Sequence, residues 1–309
     1  MPAPKVVIKS KLITKLFQSL IINKDIRFFK NKKSYYLIFR IVRNFLLNDI
    51  ILQIYDFKVF GSIQKNKNSY YLLKKCDFAD VNELKTIKKI SNESKILFLD
   101  CGCNYGFYSF YTASLSSQNI ILSIEASKNT SNDFLKNLAL NKFSNIKFDN
   151  KAISNSDNQN IFFYESINDW ESSHSQSNFK VKSIEMIRSI KIDSLVKDLN
   201  FKNYKIIVKL DIEGNEMNAL EGGLQLIKKT DPLIIIEFSR YIFKDNFKVN
   251  FFRNFLENFD YLIYDTNFIK KEFDEILHKL DKLRPKHNTI GNYYLIKNSS
   301  KDLKILTND

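Results

Sequence analysis

Glycine is scarce in this chain of 309 residues, which holds seven, and proline is scarcer still, with four. No Pro/Gly/Ser-rich linker marks a domain boundary, and no internal repeat appears. Three cysteines, Cys76, Cys101 and Cys103, provide no disulfide framework. Cys101 and Cys103 flank a single glycine, and no second Cys or His pair completes a zinc site. A reducing, cytoplasmic compartment is the expectation. No run of about 18 apolar residues is present, so no spanning helix is predicted. Lysines interrupt the apolar part of "MPAPKVVIKSKLITKLFQSLIINK", which argues against a cleavable signal peptide. Negative charge is also short. Asp and Glu number 34 against 48 Lys and Arg, a formal net charge of +14. A basic balance points to anionic partners such as nucleic acid, an anionic glycan or a membrane surface. The abundance of Lys, Asn, Ile, Phe and Tyr, residues of AT-rich codons, gives the same charge a compositional origin.

What is present is globular: 44% apolar and 27% charged residues, enough for one large domain with an appendage. The reading divides the chain into an accessory region, 1–79, and a main domain, 80–309. Residues 7–48 read as helical, with Leu12, Leu16, Leu20 and Ile21 near one face. This basic, amphipathic stretch could make peripheral contact with a membrane. Packing on its own domain is the expectation, because Phe28, Phe29, Tyr35 and Tyr36 also need burial. Residues 53–75 alternate around the polar turn "KNKN" and read as a hairpin. Asp80 and Glu83, at capping-box spacing, open a helix over about 81–90. From residue 95 strands and helices alternate: "KILFL", a helix over 107–117, "NIILSIE", a helix over 128–141, "NIKFD". That order predicts a doubly wound parallel sheet. "IFFYE" and "SIKID" add strands around the polar loop "SINDWESSHSQSN". "YKIIVKL", a helix to about 229, "PLIIIEF", a helix over 247–258 and "YLIY" resume the rhythm. A Lys-rich helical insertion spans about 268–284, and "NYYLIK" closes the sheet.

In an open α/β sheet, ligands bind beyond the carboxyl ends of the strands. Asp100, Glu125, Asp149, Asp211 and Glu237 each end a successive strand, which places them at one site. Two of the few glycines, Gly102 and Gly106, lie four residues apart after the first strand of this series. Gly102 permits a sharp turn and close approach of a ligand to the backbone, and Gly106 lets the next helix pack on the sheet. The spacing is D-x-G-x-N-x-G rather than G-x-G-x-x-G, and an aspartate before the first glycine suits an amino group and repels phosphate. Glu125, at the end of the next strand, is placed for ribose hydroxyls. A nucleoside carrying an amino acid, S-adenosylmethionine, fits both. In "KLDIEGNEMNALEGG", Lys209, Asp211 and Ile207 alternate onto one strand face. Glu216, near a helix N-terminus, reads as complementing the helix dipole.

The segments "FLDCGCNYGFYS", "SIEAS", "NKAIS", "IKIDSL", "VKLDIEGNEMNALEGG" and "PLIIIEFS" stand in the order found in the FkbM methyltransferases. Over residues 95–240 the chain resembles that family. The resemblance implies a class I Rossmann-like methyltransferase, with a mostly parallel seven-stranded sheet and an antiparallel last strand. It also implies S-adenosylmethionine as donor and O-methylation, often of sugars, glycans or natural-product hydroxyls. Asp100, Gly102, Asn104, Gly106 and Glu125 then fall on donor-binding positions, with Cys103, Tyr108, Ala126, Asn150 and Ala152 in the same motifs. Asp211, Glu213, Gly214 and Glu216 fall on the family's K-x-D-x-E-G-x-E segment. Cys103 stands where alanine is usual, and Ala126 where proline commonly follows the acid. The N-terminal helices and the 268–284 insertion lie outside the resemblance and are expected to shape the acceptor site.

Methyl transfer is an in-line displacement that gains from positioning, and a sugar hydroxyl also needs a base or a metal. Candidate groups are Asp211, Glu213, Glu237 and Lys209, with His174 from the polar loop. Asp211 and Glu237 are oxygen ligands suited to Mg²⁺. His278 and His287 read as structural or exposed. The rival readings are an RNA ribose 2′-O-methyltransferase, a nicotinamide oxidoreductase and a non-catalytic module that kept the fold. Asp100 and the glycine spacing count against the oxidoreductase.

Overall fold

The computed structural model describes residues 5–8, 50–61, 80–166, 181–243, 245–284, 287–300, 303 and 306. It divides into two compact units, residues 1–81 with 133–142, and residues 82–132 with 143–309.

In the first unit, β1 (Lys5–Ile8), β2 (Ile50–Ile54) and β3 (Phe57–Gly61) form an antiparallel sheet in that order. Residues 7 and 8 are therefore strand rather than helix, and the rest of the expected helical stretch lies outside the described residues. The hairpin turns at Tyr55–Asp56, with Tyr55 at φ 49°. The turn falls there because Ile54, Phe57 and Val59 are all buried, so a two-residue loop brings the apolar positions into register. The "KNKN" turn lies outside the described residues. Asn137 and Asn141 finish the β3 edge. The Phe60 N–H donates to Asn137 Oδ1 (2.7 Å) and the Lys58 N–H to Asn141 Oδ1 (2.8 Å), while Asn141 Nδ2 donates to the Lys58 carbonyl (2.7 Å).

The second unit follows from alternation along its strands. It starts with α1 (Val81–Glu93), β4 (Lys95–Cys101), α2 (Phe107–Leu115), β5 (Ile120–Ile124), α3 (Lys128–Ala139) and β6 (Ile146–Asp149). After these come β7 (Ala152–Ile153), β8 (Asn160–Ser166), β9 (Val181–Ile190), α4 (Ile192–Val196) and β10 (Tyr204–Leu210). Next are α5 (Glu216–Glu221), α6 (Leu224–Thr230), β11 (Leu233–Ser239) and α7 (Asn246–Phe259). Last are β12 (Tyr261–Asp265), β13 (Lys270–Lys271), α8 (Phe273–Asp281) and β14 (Thr289–Lys297). The main sheet runs β13-β12-β14-β11-β10-β4-β5-β6. Strands β6, β5, β4, β10 and β11 are mutually parallel, and β14 is antiparallel to β11 and β12. This is the expected Rossmann-like sheet of seven strands, extended by the two-residue edge strand β13.

Buried apolar residues occupy both faces of the sheet. Leu97, Leu99, Ile206, Val208 and Leu210 belong to one core cluster, while Ile96, Phe98 and Ile207 belong to the other. Strands sandwiched in this way bury continuous Ile/Leu/Val runs. The expected single helix after β10 is two, α5 and α6, because the chain bends at Gly222. A Cβ there would sit 2.2 Å from the Ser154 carbonyl oxygen. The 268–284 insertion is strand β13 followed by the short helix α8. Phe273, Ile276 and Leu280 of α8 belong to the core, so its apolar stripe serves packing. The strands β7, β9 and β8 form a second, three-stranded sheet. No helix among the described residues is long and apolar enough to cross a membrane.

Candidate active site

Neighbouring parallel strands bring their carboxyl-end loops together, and here β10, β4, β5 and β6 do so around one cleft. Under β5 to β7 the apolar part of the lining comes from Ile124, Ala126, Ala152 and Ile153, joined by Phe163 of β8, with Glu125, Ser127, Thr130 and Lys151 beside it. Under β10 it is polar, from Asp211, Glu213 and Asn215. The β4 loop lies between them with Gly102 and Asn104.

Gly102 has φ 81°, and a Cβ on it would lie 2.0 Å from the Asp211 carbonyl oxygen. The β10 backbone therefore demands a glycine there, at a position that also lines the cleft. Gly106 precedes α2 at φ 90°. Asn104, at φ 50°, donates its N–H to Glu125 Oε2 (3.0 Å), and the Ser127 N–H donates to Glu125 Oε1 (2.9 Å). Burial pushes the Glu125 carboxyl up to about 7 against these two hydrogen bonds. Asn150 does not line the cleft. Its Nδ2 donates to the carbonyls of Glu125 (2.7 Å) and Ala126 (3.1 Å), fixing the end of β5.

Asp100 is 1% exposed and lies beneath the loop rather than in the cleft lining. Ser109 Oγ donates to its Oδ2 at 2.5 Å, and burial raises its pKa against the pull of Lys209. Asp100 Oδ1 and Asn104 Oδ1 are buried and have no hydrogen-bond donor among the described residues. Cys103 is buried and does not line the cleft, and burial raises its thiol well above the ordinary range. Asp149 is paired with Lys151 (2.8 Å), and Lys151, not Asp149, reaches the cleft.

Lys209, 3% exposed, donates from Nζ to Asp211 Oδ2 (2.7 Å) and stands 4.7 Å from the centre of the Tyr108 ring. Tyr108 thus backs Lys209 rather than the cleft. Asp211, Glu213 and Glu237 each present an oxygen within 4.8 Å of the other two. Burial, followed by the Asp211 charge, pushes Glu237 up to about 8. Glu216 is buried and raised to about 7 by burial. It accepts from the N–H groups of Ile212 (3.0 Å) and Gly214 (2.9 Å), so it shapes the turn after β10 rather than merely complementing a helix dipole. His174 lies outside the described residues.

The sequence reading missed Ile124, Ser127, Thr130, Lys151, Ile153, Phe163, Ile212 and Asn215. All of these but Thr130 and Phe163 stand inside the quoted motifs, where position alone could have found them. Phe163 stands in a strand that carries no motif. No residue of 268–284 is among those that line this cleft.

The sheet order and the strand-end cleft define a class I Rossmann-like methyltransferase fold. Residues 100–263, more than half of the chain, match the Methyltransferase FkbM domain. The chain belongs to the FkbM methyltransferase family. Among solved structures it is similar to the methyltransferase FkbM from Methylobacillus flagellatus KT, at 16% identity and TM-score 0.38 over 74% of this chain and 52% of that one. The match thus spans about half the length of that relative. It is also similar to precorrin-6y C5,15-methyltransferase from Geobacter metallireducens GS-15, at 10% identity and TM-score 0.39, covering 72% and 89% of the two chains. M. jannaschii TYW2 in complex with AdoMet is similar at 12% identity and TM-score 0.37, covering 79% and 83%. No curated protein matches the chain.

Proposed function

We propose that this chain is an S-adenosylmethionine-dependent O-methyltransferase acting on a hydroxyl of a sugar, glycan or related natural product. The observation that carries this reading is the division of one cleft into an apolar part under β5 to β7 and a carboxylate-bearing part under β10, with Glu125 and the 102–104 loop beside both. The residues fit the donor. The apolar part suits a base, and Glu125 would hold ribose hydroxyls. The orphaned acceptor Asn104 Oδ1, on the loop that lines the cleft, suits a group rich in N–H donors, as an α-ammonium is, with the Asp100 carboxyl beneath that loop. The donor, when bound, supplies an electrophilic methyl carbon.

The remaining work falls to the acceptor side. Asp211 opens on the cleft and is held by the buried Lys209. It is the group proposed to take the hydroxyl proton as the oxygen attacks, a contribution of roughly 10²–10⁴-fold. Glu237, raised to about 8, is largely protonated at neutral pH and can donate a hydrogen bond beside it. The ionised carboxylates at the reacting centre disfavour a phosphate placed against them, which favours a neutral hydroxyl as the attacking group. Their approach within 4.8 Å supports a second role, holding a divalent cation such as Mg²⁺ that polarises the hydroxyl.

The experiment is a product screen with labelled donor against sugar nucleotides, glycans and RNA, repeated with chelator. Label in a sugar hydroxyl is the expected result, and label in RNA alone overturns the acceptor class. Loss of turnover on chelation, rescued by Mg²⁺, assigns the cation role. Unchanged turnover leaves Asp211 as the base.

A further inference from the structure

The small sheet β7-β9-β8 is an insertion between β6 and β10, and one face of β8 turns inward. Phe163 is 7% exposed and lines the cleft beside Ala152 and Ile153. Two residues on, Glu165 is 3% exposed and lies on the same strand face. Its Oε1 accepts from Ser127 Oγ (2.8 Å) and from the Asn129 N–H (3.4 Å). Its Oε2 accepts from Asn129 Nδ2 and from Ser183 Oγ of β9 (3.3 Å). Ser127 in turn gives its N–H to Glu125 Oε1 and accepts from the Thr130 N–H (3.1 Å). A buried carboxylate is costly unless it is fully hydrogen-bonded, and all of this one's bonds go to the turn that carries Glu125 and to its own ribbon.

We propose that the β8–β9 ribbon is a working part of the nucleoside site. Phe163 is a specificity-determining wall for a planar base, and Glu165 is a positioning residue that acts through Ser127 on Glu125. This rests on the donor reading above. An aromatic ring is the element missing from the apolar lining of Ile124, Ala126, Ala152 and Ile153, and among the described residues β8 brings one. A ring against a base contributes by stacking, independently of what the base is joined to, so its removal affects a free nucleoside and the full ligand equally. Glu165 touches no ligand, and its effect depends on having an acceptor oxygen for Ser127.

The test is calorimetric titration of the full chain with S-adenosylhomocysteine and, separately, adenosine. Phe163→Ala should weaken both by the same factor, about tenfold to a hundredfold, with binding stoichiometry unchanged. Phe163→Tyr should stay near wild type. A role in folding alone would lower the bound fraction and leave the affinity of the folded fraction intact. If Phe163→Ala does not fold, Phe163→Leu keeps an apolar side chain without a ring and should still weaken both ligands. Wild-type affinity in whichever of these two folds overturns the assignment. Glu165→Ala should weaken S-adenosylhomocysteine, and Glu165→Gln, which keeps an oxygen for Ser127, should recover most of the loss. Equal, wild-type affinity in both variants overturns the positioning role. Failure of wild-type protein to bind S-adenosylhomocysteine would instead refute the donor reading itself.

Discussion

Glu125 and Asp211 answer to different experiments. If ribose hydroxyls donate to the ionised Glu125 carboxylate, donor affinity follows its ionisation. With that carboxyl raised to about 7, affinity for S-adenosylhomocysteine should climb as pH rises through about 7 and level off above it. Glu125→Gln should bind more weakly and flatten the profile, and calorimetry across pH 5.5–8.5 (roughly the range set by burial of such acids) reads both. Asp211→Asn keeps shape and loses the negative charge. It should bind S-adenosylhomocysteine nearly as the wild type does and lose turnover by roughly 10²–10⁴-fold. Full turnover in that variant would move the base to Glu237. The same residues set an opposing trend in stability. Glu125 and Glu216 at about 7, and Glu237 at about 8, stand above an ordinary value of 4.5. A raised carboxyl contributes stability fully present below its unfolded value and lost as pH rises through the folded one. The ligand-free protein should therefore lose stability to urea between pH 5 and pH 8, a range taken from those folded values, while its donor affinity grows.

At the scale of elements, the turn after β10 is held by one buried side chain. Glu216→Ala leaves the N–H groups of Ile212 and Gly214 without their acceptor. Each costs about 1–3 kcal/mol where no water replaces it, and a fall in melting temperature checks this. At Gly102 the loop after β4 packs directly against the Asp211 backbone. Gly102→Ala places a methyl against the Asp211 carbonyl and holds a non-glycine residue at φ 81°, so it should destabilise by about 1–3 kcal/mol or more. Donor affinity measured alongside separates this from ligand contact, since the clash is within the protein. The order of strands and helices was readable because each carries its period openly, as in the Ile/Leu/Val runs of "KILFL" and "PLIIIEF". The turn at Tyr55–Asp56 was not legible, because it carries no Gly, Pro or Asn, and the "KNKN" turn lies outside the described residues. Burial of Ile54 and Phe57 outweighs local turn chemistry there.

At the scale of the whole molecule, charge is distributed unevenly. Before residue 80 the chain holds sixteen Lys and Arg against four Asp, and its first glutamate is Glu83. A basic stretch lying on a membrane would bind anionic vesicles and release them with salt, since exposed charges are screened within about 10 Å at 0.1 M. The aromatic residues of the same stretch need burial, so it is expected to pack on its own fold, and the full chain should not float with anionic vesicles at low salt. Salt-sensitive flotation counts against this.

The sequence by itself determined the class of fold, the family and the identities of Glu125, Asp211 and Glu213 as groups facing one site. These depend on periodicity and on strand-end position, both of which are local along the chain. Tertiary structure alone decided that Asp100 turns inward to Ser109, that Tyr108 backs Lys209, and that Gly102 makes room for the Asp211 carbonyl. It alone decided that, from a ribbon inserted between β6 and β10, Phe163 reaches the cleft and Glu165 reaches the turn beside Glu125. Each of these is a contact between segments far apart in sequence. Which face of a strand meets which neighbour is settled only when the layers pack, and no local pattern of residues carries that information.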